Sequence, residues 1–195
     1  MNGSLLAKNP IPIVSRALFL LCLVAMAFRA SAQNPPPGTN PTNRPSSDRY
    51  LVILEISSAM QKRATNVQDV IGQLFSSGFN GQLHRGDTIG MWTYNDSLHT
   101  GAFPLQRWTP QTVRQITSVA AQFTQNQRYS KRSSLSPVMA QLTNIVADSD
   151  RITVILVSDG SESLAGTPFE SQISDAFKHN GEEQRRRAMP FVTVL

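Results

Sequence analysis

Three short apolar runs constrain the fold of this chain more than any other feature. Residues 50–56 read YLVILEI, residues 152–157 read ITVILV, and residues 190–195 read PFVTVL. Runs of this length without regular polar alternation are typical of strands that are buried on both faces. The sequence therefore predicts a central sheet with its strands in the middle of the domain.

Helical patterns separate these runs. Apolar residues recur at helical spacing over residues 60–75. Three later helix starts place a capping residue directly before a proline, at Thr109-Pro110, Ser136-Pro137 and Thr167-Pro168. Strands that alternate with amphipathic helices indicate a parallel sheet covered on both faces.

One pair of predicted strands departs from this alternation. Residues 88–94 and 98–104 both have strand character and are separated only by a tight turn at Asn95-Asp96. So short a connection allows only antiparallel pairing. We therefore predict an α/β fold: a doubly wound, mostly parallel sheet with one antiparallel edge strand and helices on both faces.

The first 32 residues have the pattern of a secretory signal peptide. Lys8 and Arg16 give a positive front, residues 17–28 form an apolar run, and Ala30-Ser31-Ala32 supplies a small-residue cleavage pattern. The alternative, a membrane-spanning helix, needs about 20 apolar residues. We expect cleavage after Ala32, and a secreted, periplasmic or cell-envelope location.

Residues 33–48, rich in Pro, Asn and Ser, are predicted to form a disordered linker before a domain at residues 49–195. Loss of the signal peptide would remove three basic residues and the only cysteine, Cys22, and would lower the formal net charge from +5 to about +2. The run Arg185-Arg186-Arg187 is interpreted as a solvated helix end rather than a nucleic-acid patch. We expect no nucleic-acid partner and no membrane span after cleavage.

Oxygen-bearing side chains follow the predicted strands at their carboxyl ends, where open α/β sheets bind ligands. Glu55 and Ser57 lie at the end of the first run, Asp159 follows the second, and Ser133 lies in the loop before the helix that starts near Ser136. Carboxylates and hydroxyls together suit Mg²⁺ or another hard divalent cation. The same residues also have an ordinary interpretation as helix caps and turn residues.

These residues resemble the metal-ion-dependent adhesion site of the von Willebrand factor A family. That site is written D-x-S-x-S after the first strand, with a Thr before a middle helix and an Asp, often as Asp-Gly, after a later strand. The resemblance places Glu55 at the first Asp, Ser57 at the first Ser, Ala59 at the second Ser, Ser133 at the Thr and Asp159 at the final Asp. It implies a metal site formed by Glu55, Ser57, Ser133 and Asp159.

Three of these five positions depart from the family's pattern. Ala59 has no oxygen to coordinate a cation, Glu55 is one methylene longer than Asp, and Ser133 keeps the hydroxyl of Thr. The site is therefore expected to be degenerate, with water filling the position of the missing ligand. The resemblance covers residues 50–195, including the segments RGDTIG at residues 85–90 and TYND at residues 93–96.

By this resemblance the chain is expected to be a protein-binding or adhesion module rather than an enzyme. Its unidentified protein partner would bind through the divalent cation. Two alternatives remain: a metal-independent interaction scaffold, and an enzyme that uses Glu55 and Asp159 as paired carboxylates. The family's sheet also continues to a further strand and a closing helix, so we expect the domain to lack these last two elements.

Other motifs give weaker indications. Arg85-Gly86-Asp87 spells an integrin-recognition tripeptide, but a turn that leads into a buried strand explains it better. His84, His99 and His179 have neither metal-ligand spacing nor an evident carboxylate partner. The nucleophile elbow, the dinucleotide fingerprint and the phosphate loop are all missing from the sequence.

Overall fold

The first apolar run forms β1 (Arg49–Glu55), which lies in the interior of the sheet. The structure, a computed structural model, describes residues 47–165 and 170–195. β1 pairs in parallel with β2 (Thr88–Tyr94) on one side and with β5 (Ile152–Ser158) on the other. This parallel core confirms the predicted α/β class with a mixed, mostly parallel open sheet.

Short antiparallel strands complete the sheet. β3 (Leu98–His99) and β4 (Gln106–Arg107) pair with β2, and β6 (Phe191–Val194) pairs with β5, giving the order β3-β2-β1-β5-β6 with β4 also on β2. One antiparallel edge strand was predicted, so β6 is a difference. The predicted strand at 98–104 is also too long. The chain bends away at Gly101, whose φ is 78°, and buries Phe103 in the core before β4 pairs again.

The turn before β6 is held at the carboxyl edge of the sheet, and this position sets the direction of β6. The Nδ2 of Asn66 donates to the carbonyl oxygens of Arg187 (3.2 Å) and Ala188 (2.9 Å), and the Nε of Arg63 donates to that of Met189 (3.2 Å). Arg63 and Asn66 lie where the first long helix starts, close after the carboxyl end of β1. The chain therefore returns at the carboxyl edge of the sheet, and a strand that starts there must run antiparallel to β5.

Helices occupy the segments between the strands. They are a 3-10 helix (Ser58–Arg63), α1 (Ala64–Ser76), α2 (Gly78–Gly81), α3 (Val113–Gln125), α4 (Ser136–Ala147) and α5 (Glu170–Arg186). α2 is a single left-handed turn, because all four of its residues have positive φ. α4 starts at the predicted Ser136-Pro137 with the proline in its first turn, but Ser136 is not its cap: the N-cap is Leu135, whose side chain makes no capping hydrogen bond. α3 starts four residues after Thr109, because Thr109 and Thr112 first close a turn with reciprocal side-chain to backbone bonds of 2.9 and 3.2 Å.

Alternate residues of β1 belong to two different core clusters. Val52 and Leu54 pack in a cluster with apolar residues of α1 and α3, whereas Leu51 and Ile53 pack in a second cluster with residues of α4. Every residue of β1 after Arg49 is buried. Burial of such an aliphatic side chain contributes about 1.5–3 kcal/mol, so β1 anchors both clusters and fixes the positions of its two ends.

Several predictions lie outside the described residues. They are the signal peptide at 1–32, most of the linker at 33–48, and the helix start at Thr167-Pro168. The last residue of the predicted linker, Asp48, is fixed, because its carbonyl oxygen accepts a hydrogen bond from the backbone N–H of Thr88 (3.0 Å). Within the described parts of the chain, no helix combines the length and apolar character needed to cross a membrane.

Candidate functional site

Glu55 links three strand ends at the carboxyl edge of the sheet. It is the last residue of β1 and its exposure is 1%. Its Oε1 accepts from the hydroxyl of Ser57 (2.5 Å), and its Oε2 accepts from the backbone N–H of Asp159 (2.8 Å) and the hydroxyl of Tyr94 (3.4 Å). The parallel register places Tyr94 beside Glu55, and β5 ends on the other side. One buried carboxylate therefore joins β1, β2 and the turn after β5.

Burial raises the pKa of Glu55 above the ordinary glutamate value. The hydrogen bonds from Ser57 and from the backbone of Asp159 lower this pKa, whereas the negative charges of Asp159 and Glu162 raise it. Burial also raises the pKa of Tyr94, and the carboxylates of Glu55, Glu162 and Asp159 raise it further. The carboxyl groups of Glu55, Asp159 and Glu162 therefore lie close enough at this edge to influence one another.

Ser57 and Asp159 both keep lone pairs that accept no hydrogen bond from the described residues. Ser57 is 1% exposed and donates its only hydroxyl proton to Glu55, which leaves lone pairs on its oxygen. Asp159 is half-buried, and its Oδ1 accepts from the backbone N–H of Ser161 (2.8 Å). Its Oδ2 accepts no hydrogen bond from the described residues. Glu55, Ser57 and Asp159, all predicted as site residues, lie in one hydrogen-bonded group.

Ser133, the fourth predicted residue, lies in a loop fastened to the same edge. The carbonyl oxygen of Lys131 accepts from the backbone N–H (2.9 Å) and hydroxyl (2.8 Å) of Ser58, and the backbone N–H of Ser134 donates to the carbonyl oxygen of Asn95 (2.8 Å). Ser133 itself is half-buried and makes no hydrogen bond within the described part of the chain. Its loop reaches the site, but its side chain does not bond to the other three.

Glu162 is a site residue that the sequence did not single out. Its Oε2 accepts from the backbone N–H of Leu135 (2.9 Å), which ties the loop after β5 to the start of α4. Its Oε1 is buried and has no hydrogen-bond partner among the described residues. The polar run SDGSES at residues 158–163 could have drawn attention to this glutamate, but spacing alone does not show which of its residues turns inward.

A second group of metal-capable side chains lies at the opposite, amino edge of the sheet. Asp48, His84 and Asp87 each offer one ligand atom, and these atoms lie within 4.8 Å of one another. This group could hold a metal ion. The prediction that His84 has no carboxylate partner is wrong, because its Nδ1 lies 3.8 Å from Oδ2 of Asp87. His84 and Asp87 share the turn before β2, and the parallel register of β1 and β2 brings Asp48 to them.

Both carboxylates of this second group already have protein partners. Asp87 is 3% exposed and accepts from the backbone N–H groups of Asp48 (3.0 Å) and His84 (2.7 Å). The Oδ1 of Asp48 lies 2.7 Å from Nε of Arg151. A metal ion would have to compete with these contacts, so the group mainly stabilises the turn before β2. The side chain of Asp87 points into the protein, which agrees with the interpretation of Arg85-Gly86-Asp87 as a turn that leads into a buried strand.

A cavity of about 590 Å³ opens beside the carboxyl edge. Asp159 and Ala59 line it, so it adjoins the predicted metal site at the position of the missing hydroxyl. Its remaining walls come from the end of the 3-10 helix, from α5, and from Gly160, Ser161, Ala188 and Phe191. Glu55 does not line this cavity.

A comparison with the known protein families found no family model that matches this chain, and a comparison with characterised proteins found no similar sequence. The chemistry of the site therefore rests on its own residues.

Proposed function

We propose that the domain is a protein-binding module of the von Willebrand factor A type that binds its partner at the carboxyl edge of the sheet. The observation that carries this proposal is the hydrogen-bonded group of Glu55, Ser57 and the Asp159 backbone. These are residues from two of the three segments that the family's motif uses, separated by about a hundred positions in the chain. The proposed export through residues 1–32 places this module outside the cytoplasm.

The donor set fits a weak site for Mg²⁺ or another divalent cation. Ser57, Ser133 and Asp159 would contribute oxygens, because each has lone pairs that no described residue uses. Glu55 would act through Ser57, since both of its own oxygens already accept hydrogen bonds. When bound, the cation would supply an open coordination position for a carboxylate of the partner. With Ala59 contributing no ligand, binding in the millimolar range is expected.

The enzyme alternative is less well supported by the geometry. Paired acid–base carboxylates must both reach a substrate. Glu55 is enclosed, and the adjacent cavity reaches Asp159 but not Glu55. The contact between the two residues runs from the backbone of Asp159 rather than from its carboxylate. A metal-independent scaffold uses the same surface and differs only in its response to cations.

Isothermal titration of the chain with Mn²⁺ or Mg²⁺ tests the cation. We expect a heat of metal binding with a Kd in the millimolar range. This heat should be lost in Asp159→Asn and retained in the control Asp69→Asn, which makes the same change on the exposed face of α1. Ala59→Ser restores the missing hydroxyl and should tighten binding. Lack of heat in the wild-type chain and in Ala59→Ser would reject the cation and leave the metal-independent scaffold.

A further inference from the structure

We propose that the cavity beside Asp159 binds an acidic segment of the partner protein that also carries an apolar side chain. This inference rests on the proposed function, in that the partner is a protein, and adds the chemistry by which the partner is recognised. It does not require a bound cation.

The cavity has the size of a ligand-binding pocket and lies at the carboxyl edge of the sheet. Its volume of about 590 Å³ lies within the usual range of ligand pockets, roughly 300–1,000 Å³. It lies between the 3-10 helix after β1, α5, and the turn after β5. These elements meet through the bonds from Arg63 and Asn66 to the carbonyl oxygens before β6, so the walls are held together.

Four basic side chains and one carboxylate line this cavity. Lys62 and Arg63 come from the 3-10 helix, Lys178 and Arg185 come from α5, and the carboxylate is Asp159. The excess of positive charge is therefore about three. Basic side chains on the walls of a concave surface attract anionic ligands and speed their association.

These positive charges are not neutralised by the described part of the protein. Lys62 and Lys178 are exposed and form neither an ion pair nor a hydrogen bond with any described residue. Arg63 donates to the backbone carbonyl oxygens of Ala59 and Met189, and Arg185 donates to that of Gly181, so neither contacts a carboxylate. Other basic residues do pair with acids, among them Lys131 with Asp96 and Arg187 with Glu183.

The apolar part of the cavity favours a peptide over a polyphosphate. The rings of Phe177 and Phe191 lie 4.6 Å apart and both line the cavity, together with Ala59 and Ala188. An aliphatic side chain of a peptide can pack on these rings while flanking carboxylates contact the lysines.

Fluorescence anisotropy with a labelled peptide of alternating Glu and Leu tests this inference on the full chain. EDTA is included, so that the result does not depend on the proposed cation. We expect binding at about 50 mM salt that weakens as salt increases, and roughly tenfold weaker binding in the double variant Lys62→Glu/Lys178→Glu. The matched control Arg107→Glu/Arg114→Glu makes the same charge change at two exposed positions away from the cavity.

Three outcomes would overturn the inference. They are no binding to the wild-type chain, an equal loss in the control double variant, and equal affinity for an oligothymidylate of the same charge. Asp159→Asn separates this inference from the proposed cation site. It should abolish the heat of Mn²⁺ binding but keep or strengthen peptide binding in EDTA, because it removes the one carboxylate among the described residues that line the cavity.

Discussion

Replacing Gly160 by alanine should destabilise the domain, because a methyl group at this position meets the ring of Phe191. An ideal Cβ on Gly160 would lie 2.5 Å from Cδ2 and 2.7 Å from Cε2 of that ring. Phe191 is nearly buried and packs on Phe177, so the ring cannot simply swing into solvent. Gly160 also has a φ of +72°, in the left-handed region that other residues adopt at a cost.

Two contributions set the expected size of the effect. The left-handed conformation costs alanine about 1–2 kcal/mol, and forcing a methyl group into a filled space costs about 1–3 kcal/mol. The free energy of unfolding should therefore fall by about 2–5 kcal/mol in Gly160→Ala. For a domain of this size that corresponds to a loss of roughly 4–20 °C in Tm.

Thermal and urea unfolding followed by circular dichroism would measure this loss. Gly101→Ala is the matched control, because Gly101 has a φ of +78° but no heavy atom within 4 Å of the added Cβ. The control should show only the conformational cost, about 1–2 kcal/mol. If both variants lose the same stability, Phe191 does not cover Gly160, and the antiparallel pairing that sets Phe191 opposite Ser158 is wrong.

Two further predictions concern buried carboxylates. Burial raises the pKa of Glu55, so its stabilising contribution is complete below the unfolded-state pKa and is lost as pH rises through the folded-state pKa. The stability of the wild type relative to Glu55→Gln should therefore decline from about pH 4 upward, and parallel urea-unfolding curves across pH would contradict this. Asp87→Ala leaves the backbone N–H groups of Asp48 and His84 without their acceptor and should cost about 2–4 kcal/mol in urea unfolding. Asp87→Asn retains one acceptor and should cost less; equal losses would show that the two N–H bonds do not carry the effect.

The central strands were predictable because their signal is local. The run at residues 152–157 is apolar except for Thr153 and forms β5, and the run at residues 88–94 forms β2 with the predicted bounds. Convergence of Glu55 and Asp159 was also predictable, since the ends of neighbouring parallel strands meet at one edge. The sequence did not reveal that Glu55 would be enclosed, because this depends on Tyr94 and on the backbone of Asp159.

The direction of β6 and the second group of metal-capable residues could not be predicted. Both depend on contacts between distant segments. The bonds that set β6 join Asn66 to carbonyl oxygens more than 120 positions away, and they involve backbone groups that every sequence has. The proximity of Asp48 to Asp87 likewise requires the register of β1 against β2. Neither arrangement leaves a pattern in residue spacing.

The bonds from Arg63 and Asn66 also mean that the carboxyl edge of the sheet is completed late in the synthesis of this domain. Arg63 precedes its partner Met189 by 126 positions. At translation rates of about 5–20 residues per second, Arg63 waits roughly 6–25 s for that carbonyl group to be made. β1, β2 and β5 can pair before then, so the nascent chain carries a nearly finished sheet whose candidate binding edge is still open.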